Sequence, residues 1–279
     1  MDMRQALVMA AGSWHHHTET WRTGSRPMQE GRVQSALRKL LFMLDPERAH
    51  GLALAGLDVA AGLGLARRYG QGLPDLPVEV MGLRFANPVG LAAGLDKNGD
   101  HIDALFGLGF GFVEIGTITP RPQPGNDKPR LFRLPAASAA INRMGFNNAG
   151  VEHLVERVRR ARRPGVLGIN IGKNRDTPLE HALEDYRFCL EAVHAVADYV
   201  TVNLSSPNTP GLRALQTGEA LQRLLAGLQQ AREALERAQG RRVPIVIKIA
   251  PDMDEPDLRQ LARTVLDSGM DGLAATNTT

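Results

Sequence analysis

The 279-residue chain carries 33 Lys and Arg against 30 Asp and Glu, a formal net charge of +3, with 43% hydrophobic and 5% aromatic residues. This balance is globular and excludes a nucleic-acid partner, which needs a basic stripe interleaved with aromatics. The single cysteine, Cys189, excludes an internal disulfide and a cysteine-built metal site, so no metal is expected and the chemistry is that of a reducing compartment.

Residues 1–32 read as a disordered or mis-assigned leader. The short apolar stretch after Arg4 is flanked by Trp14, His15, His16 and His17, a poor signal peptide, and Met28 is an alternative start. Regularity begins at residue 33. The segment 33–44 places Val33, Leu37, Leu40, Leu41 and Leu44 on one helical face. A second helix is expected over 46–66, with Asp45 as N-cap, Pro46 at the first position and Glu47 in the first turn. Residues 33–70 therefore form a helical pair. The bland reading is that they pack on the body of the protein. The sharper one is an interfacial pair flanked by Arg38, Lys39, Arg67 and Arg68.

A small hairpin follows at 78–85, turning at Met81-Gly82. Short apolar runs then alternate with amphipathic helical segments. The runs are 89–95, 111–119, 166–172, 199–206, 244–250 and 272–279. Cys189 falls on one of the helical segments, as a core residue. Continuous apolar strands alternating with helices indicate a parallel sheet covered by helices, either doubly wound or a (βα)8 TIM-type barrel. In an open sheet the ligand groups gather at one switch point, whereas a barrel collects them from strand ends around one rim. Every run here ends in small or polar residues, and no GxGxxG follows the first, so the barrel is favoured. Only six of the eight βα units are expected in 71–279, and the phosphate-binding loops that commonly follow the last two strands of such barrels would have no counterpart. The expectation is a C-terminally truncated barrel carrying an N-terminal two-helix extension.

The rim is rich in Asn, Thr, Ser and Lys, with Asp96 as its one acid near a strand end. Neutral amides and hydroxyls offer fixed donors and acceptors, suited to a flat heterocycle whose edge alternates C=O and N–H, such as a flavin or a pyrimidine. Lys97 and Lys248 add two positive charges, one for a substrate carboxylate and one for the charge that builds on a reduced flavin. Ser205 and Ser206 before Pro207 also fit ordinary turn chemistry.

Seven motifs, in order, carry a resemblance: AAGLDKNG (92–99), EIGTITPRPQPGN (114–126), NRMGFNN (142–148), GINIGKN (168–174), VNLSSPNTPGLR (202–213), VIKIAPD (246–252) and ATNTT (275–279). Together with the entry LDPERAH (44–50), they resemble the class 2, quinone-dependent dihydroorotate dehydrogenases from about residue 34 onward. The resemblance implies a flavin mononucleotide (FMN) barrel that oxidises dihydroorotate to orotate in pyrimidine synthesis and passes electrons to ubiquinone or menaquinone. It implies Ser206 as the base, with Thr209 and Phe146 flanking a proton relay through a water. It implies FMN contacts at Ala92, Ala93, Gly94, Thr117, Asn170, Asn203, Lys248 and Thr276. It implies substrate contacts at Lys97, Asn142, Arg143, Met144, Gly145, Phe146, Asn203, Asn208, Asn277 and Thr278. The helical pair would admit quinone from the membrane surface, making the protein peripheral, on the cytoplasmic side of the inner membrane if bacterial. Two alternatives stand beside this reading: an inactive fragment unable to hold FMN, and another FMN-dependent barrel oxidoreductase.

Overall fold

A computed structural model describes residues 32–65 and 76–277. Two helices lead, α1 (Arg32–Phe42) and α2 (Pro46–Gly62). Asp45 caps α2 as expected, accepting from the backbone N–H of Glu47 at 3.0 Å and of Arg48 at 3.1 Å, so two otherwise orphaned donors are satisfied. Both helices end before the limits expected from the apolar pattern. Arg67, Arg68 and the rest of 66–75 lie outside the described residues.

The hairpin β1 (Val78–Val80) and β2 (Leu83–Phe85) forms with Met81-Gly82 at its turn. The six expected parallel strands follow: β3 (Gly90–Leu91), β4 (Phe112–Ile118), β7 (Val166–Ile171), β8 (Tyr199–Asn203), β9 (Ile245–Ile249) and β10 (Gly272–Ala275). They lie in chain order across one sheet, each parallel to its neighbour. Helices α3 (Ile102–Phe106), α4 (Val151–Arg160), α5 (Ala182–Val193), α6 (Gly218–Gln239) and α7 (Glu255–Asp267) return the chain between strands. The result is an incomplete (βα)8-type barrel, a half-barrel whose first and last strands, β3 and β10, do not meet.

Alternation along each strand divides the molecule into two cores. Outward residues such as Ile115, Ile169, Val202 and Ile247 pack against Leu154, Leu190, Leu228 and Val265 of the helices, and Cys189 is buried among them. Burial of each such side chain contributes about 1.5–3 kcal/mol. Inward residues Phe112, Tyr199, Val246 and Ala274 form a smaller core, closed from below by Val80 and Phe85 of the hairpin. The Phe85 and Phe112 rings meet edge to face at 5.2 Å. Gly168 is required here, because a Cβ on it would stand 2.1 Å from the Tyr199 ring.

One hairpin was not legible in the pattern. β5 (Leu131–Leu134) and β6 (Ala139–Asn142) pair antiparallel, with Leu131 opposite Asn142. Ala-rich 136–140 lacks strand propensity, and the pairing is sustained by context rather than by local preference. This hairpin stands beside α2. Arg133 donates to the Phe42 and Leu44 carbonyls and lies over the Phe42 ring, 4.7 Å from its centroid. Asp58 of α2 also bonds His101 at 2.7 Å.

Candidate active site

The inward faces of the strands change character with height. Above the apolar floor lies a polar layer built around Glu114, a residue in the middle of β4 that is only 3% exposed. Its carboxylate accepts from Asn170 Nδ2 at 2.7 Å, Thr201 Oγ1 at 2.9 Å and the Tyr199 hydroxyl at 3.0 Å. Burial, reinforced by the Glu114 charge, pushes the Tyr199 phenol well above its ordinary pKa, so it stays a neutral donor.

Register irregularity between Gly116 and Ile118 turns Thr117 toward the same layer. Thr117 Oγ1 donates to Asn170 Oδ1 at 2.6 Å. Asn203, at the end of β8, donates through Nδ2 to Asn170 Oδ1 at 3.1 Å and to Thr117 Oγ1 at 2.9 Å. Its Oδ1 accepts from the Ser205 backbone N–H at 3.0 Å and from the Ser205 hydroxyl at 2.8 Å. Ser206 follows, 4% exposed, with Oγ accepting from the Asn208 backbone N–H at 3.2 Å. Asn277 reaches across from beyond β10, its Nδ2 3.3 Å from the Ser205 carbonyl.

Lys248 sits opposite Asn203 in the register of β8 and β9. Burial lowers its ammonium pKa and the Glu114 charge opposes that, while no described residue stands at hydrogen-bonding or ion-pairing range of Nζ. At the near rim, Gly94 takes φ +115 with open space where a Cβ would stand, and its carbonyl accepts from Lys97 Nζ at 2.8 Å. Burial lowers the Lys97 ammonium pKa; Glu47 opposes the fall, Arg130 adds to it and Asp96 opposes it. Asp96 is structural rather than chemical: its carboxylate caps the turn that carries Lys97, accepting from Gly99, Asp100 and His101 N–H at 2.8–3.0 Å.

The candidate residues thus divide. Thr117, Asn170, Asn203 and Asn277 belong to one bonded cluster around Ser205, Ser206 and Asn208 form a bonded pair next along the chain, and Lys248 lies in register beside Asn203. Phe146 joins them: its ring and the Thr117 methyl flank Gly172. Ala92 and Ala93 line the half-buried approach to Gly94, and Thr276 Oγ1 bonds the Asn277 carbonyl at 3.0 Å. The remainder of the 142–146 loop stands apart from the cluster. Asn142 and Arg143 are exposed, the Arg143 guanidinium donates to the Pro129 carbonyl, and the backbone of Met144 and Gly145 is held by Asn126 and Gln123. Thr278 lies outside the described residues. Two residues just past the end of β7 are braces: Lys173 Nζ bonds the Asn174 and Thr177 carbonyls, and Asn174 ties Thr119 to Gln123.

Sequence reasoning missed Glu114, Tyr199 and Thr201 because it weighed only strand ends. The signal was a lone carboxylate inside the apolar run FVEIGTI. It also missed the junction of α2 with the rim. There Glu47 bonds Arg130 Nε at 2.7 Å and Lys128 Nζ at 2.8 Å. Beside it burial, then the Lys97 charge, lower the His50 pKa.

Over residues 75–279 the sequence matches the family model described as dihydroorotate dehydrogenase. It is 61% identical over 247 residues to the dihydroorotate dehydrogenase (quinone) of Cellvibrio japonicus, covering 88% of this chain and 72% of that one. It is 62% identical over 242 residues to that of Azotobacter vinelandii, covering 87% of this chain and 70% of the relative. Among solved structures it is similar to a DHODH from Eimeria tenella in complex with ferulenol, with a TM-score of 0.74 and 42% identity over 84% of this chain and 67% of that one.

Proposed function

The chain belongs to the dihydroorotate dehydrogenase family, and from that premise we propose that it oxidises dihydroorotate to orotate on FMN, with Ser206 as base and a membrane quinone as final electron acceptor. The observation that carries this reading is the bonded cluster of Thr117, Asn170, Asn203 and Ser205 beside Ser206 at the strand tips.

The residues fit a flavin. Open space above Gly94 lets a planar ring approach the main chain, the cluster supplies neutral donors and acceptors, and Lys248 offers an ammonium without a competing partner. When bound, FMN would supply the acceptor for the hydride that leaves one ring carbon of the substrate. Everything else falls to the chain. Lys97 is suited to the substrate carboxylate, fixing which carbon faces the base. Ser206 Oγ takes the proton from the neighbouring carbon. A serine is a poor base in water, and the Asn208 N–H directed at Oγ, 3.2 Å away, stabilises the negative charge that proton loss leaves there. The proton then leaves on the side of Thr209, itself buried, and Phe146. Lys248 favours anionic charge at the edge of the reduced ring.

For the electrons to leave, quinone must reach the ring. No helix among the described residues is long and apolar enough to cross a membrane. Yet α1, α2 and their links expose Leu37, Leu40, Met43, Leu52, Val59 and Leu63. Such apolar surface fits a pair that lies on the bilayer, making the protein peripheral, on the cytoplasmic side of the inner membrane if the source is bacterial.

Anaerobic mixing of the FMN-loaded protein with dihydroorotate tests the reading. Bleaching of the visible flavin band, followed by recovery on adding a long-chain quinone but not a nicotinamide nucleotide, is expected. Absence of bleaching with FMN bound would overturn it.

A further inference from the structure

We infer that Glu114 is a positioning residue that anchors, at its inner end, the direction of a hydrogen-bond chain running from the barrel interior to Ser205, next to the proposed base. The chain Glu114–Asn170–Asn203–Ser205 has a single polarity. A carboxylate offers only acceptors. Asn170 therefore presents Nδ2 to Glu114, which leaves its Oδ1 facing Thr117 and Asn203. Asn203 must answer with its own Nδ2, which leaves its Oδ1 to receive the Ser205 N–H and hydroxyl. Neither amide is symmetric, and each is buried, so a flip of one would set donor against donor or acceptor against acceptor. Without the carboxylate, nothing below Asn170 decides between the two orientations. Tyr199 and Thr201 cannot do so, since each hydroxyl can donate or accept. The chain is then held only from its far end, where the donor-only Ser205 N–H faces Asn203 Oδ1.

The consequence for catalysis rests on the proposed FMN reading. Asn170 and Asn203 would offer the flavin a fixed pattern of donors and acceptors. Ser205 would be held so that the following turn keeps Ser206 in place.

The test separates polarity from charge and from folding. In Glu114→Gln, Oε1 can still accept from Asn170 while Nε2 donates to the Tyr199 and Thr201 oxygens, so the polarity survives. In Glu114→Leu its inner anchor is lost. Asn170→Asp, nearly isosteric, sets two acceptors face to face at Glu114, and the repulsion displaces the new carboxylate together with the oxygen from which Thr117 and Asn203 are held. Adding Glu114→Gln to Asn170→Asp restores a donor, Gln Nε2 to Asp, and leaves the other Asp oxygen to accept from Thr117 and Asn203.

Selective labelling of asparagine side-chain amides reads the orientation directly, with or without FMN. Protection of the Asn203 amide from hydrogen exchange is expected to persist in Glu114→Gln, and to fall in Glu114→Leu and in Asn170→Asp. It should return in the Asn170→Asp/Glu114→Gln pair. Asn203 does not touch Glu114, so a merely local packing role would leave it unmoved. In the FMN-loaded protein, the flavin-reduction rate should fall roughly 10–100-fold in Asn170→Asp and recover most of that in the pair. An Asn203 amide unchanged in Asn170→Asp, or a pair no better protected than Asn170→Asp alone, would overturn the inference. Should Glu114→Leu fail to fold, the Asn170→Asp pair decides alone. Failure of wild type to bleach with dihydroorotate would strike the proposed function and leave the exchange result to judge Glu114.

Discussion

The barrel interior and the helical pair solve opposite problems. Inside the barrel, polar groups are buried and satisfy one another: Glu114, Asn170, Thr117, Asn203 and Ser205 form one continuous set of bonds. In α1 and α2 many apolar side chains are exposed; α2 seats only Ala49, Leu54 and Leu57 against the barrel body, and beside that seat stand a few ionic and polar links, chiefly Glu47 with Arg130, Asp58 with His101 and Arg133 with the Phe42 and Leu44 carbonyls. A satisfied buried network is rigid, because any rotation orphans a donor or acceptor in low dielectric. A pair seated on the barrel along one narrow face and carrying apolar surface elsewhere can meet a different solvent. The interior is thus built to orient a reaction, the pair to change surroundings.

If that division is right, perturbing the interior should change chemistry without changing access. Ser206→Ala is the severest case. Flavin reduction by dihydroorotate is expected to fall by about 10²–10⁴-fold, the usual worth of a positioned base, while FMN stays bound. Stopped-flow bleaching against equilibrium FMN titration measures both; retained reduction would place the base elsewhere.

Lys97→Ala should come next, raising the dihydroorotate concentration for half-maximal reduction roughly 10–100-fold by removing a charged partner of the substrate carboxylate. The pH dependence sharpens this. Burial holds the Lys97 pKa below its usual 10.5, so the ammonium is lost earlier on the alkaline side than for a free lysine. Apparent affinity for dihydroorotate should weaken as pH rises toward that lowered value, and Lys97→Ala should abolish the dependence. A parallel alkaline profile in the variant would assign the titration to another group, Lys248 being the first to test.

How far the two regions were legible in the sequence follows the same division. The parallel strands, their order and the cap at Asp45 were legible because alternation of apolar runs and helices, and an Asp before a Pro, are local signals. The rim amides were legible as residue types at strand ends. What could not be read was which of them turn inward and bond. Thr117 joins the cluster only because the β4 ladder shifts register after Gly116, and Glu114 matters only because Asn170, Tyr199 and Thr201 converge on it from two other strands. Asp96 stood out as the one acid near a strand end and braces a turn, since a carboxylate there serves a turn as readily as a ligand. The β5–β6 hairpin and the Glu47–Arg130 link are products of tertiary contact with no local signature.

Perturbing the helical pair should do the reverse, changing access and sparing chemistry. Removal of residues 1–66 is expected to leave flavin reduction by dihydroorotate within about threefold of the full chain, while slowing reoxidation by long-chain quinone in vesicles by about tenfold or more, as loss of apolar contact with the bilayer would. Unimpaired reoxidation would reduce the pair to a packing element.

The smallest change acts on the link itself. Arg130 is 8% exposed at its side chain and Lys128 69%, so the Glu47–Arg130 contact carries most of the interaction and the Lys128 contact is screened. Burial of Glu47 raises its carboxyl pKa, but the hydrogen bonds and charges of Lys128 and Arg130 outweigh burial and hold it below the usual 4.5. A carboxylate with a depressed pKa in the folded state contributes stability that is present above 4.5 and is lost as pH falls through the lowered value. Docking of α2 should therefore loosen on acidification below that point, seen as rising hydrogen exchange in 46–62 ahead of the barrel strands. Glu47→Gln, which still accepts from Arg130, should flatten that acid response at a cost of about 1 kcal/mol near neutrality. Glu47→Leu should cost more, about 2–3 kcal/mol, because it leaves the Arg130 charge buried with only the Pro124 and Asn126 carbonyls. Complete removal of the helices should be milder at this one site than Glu47→Leu, since it returns Arg130 to water. That ordering separates a link between two bodies from a core contact, for which removing the whole element would always be the greater loss.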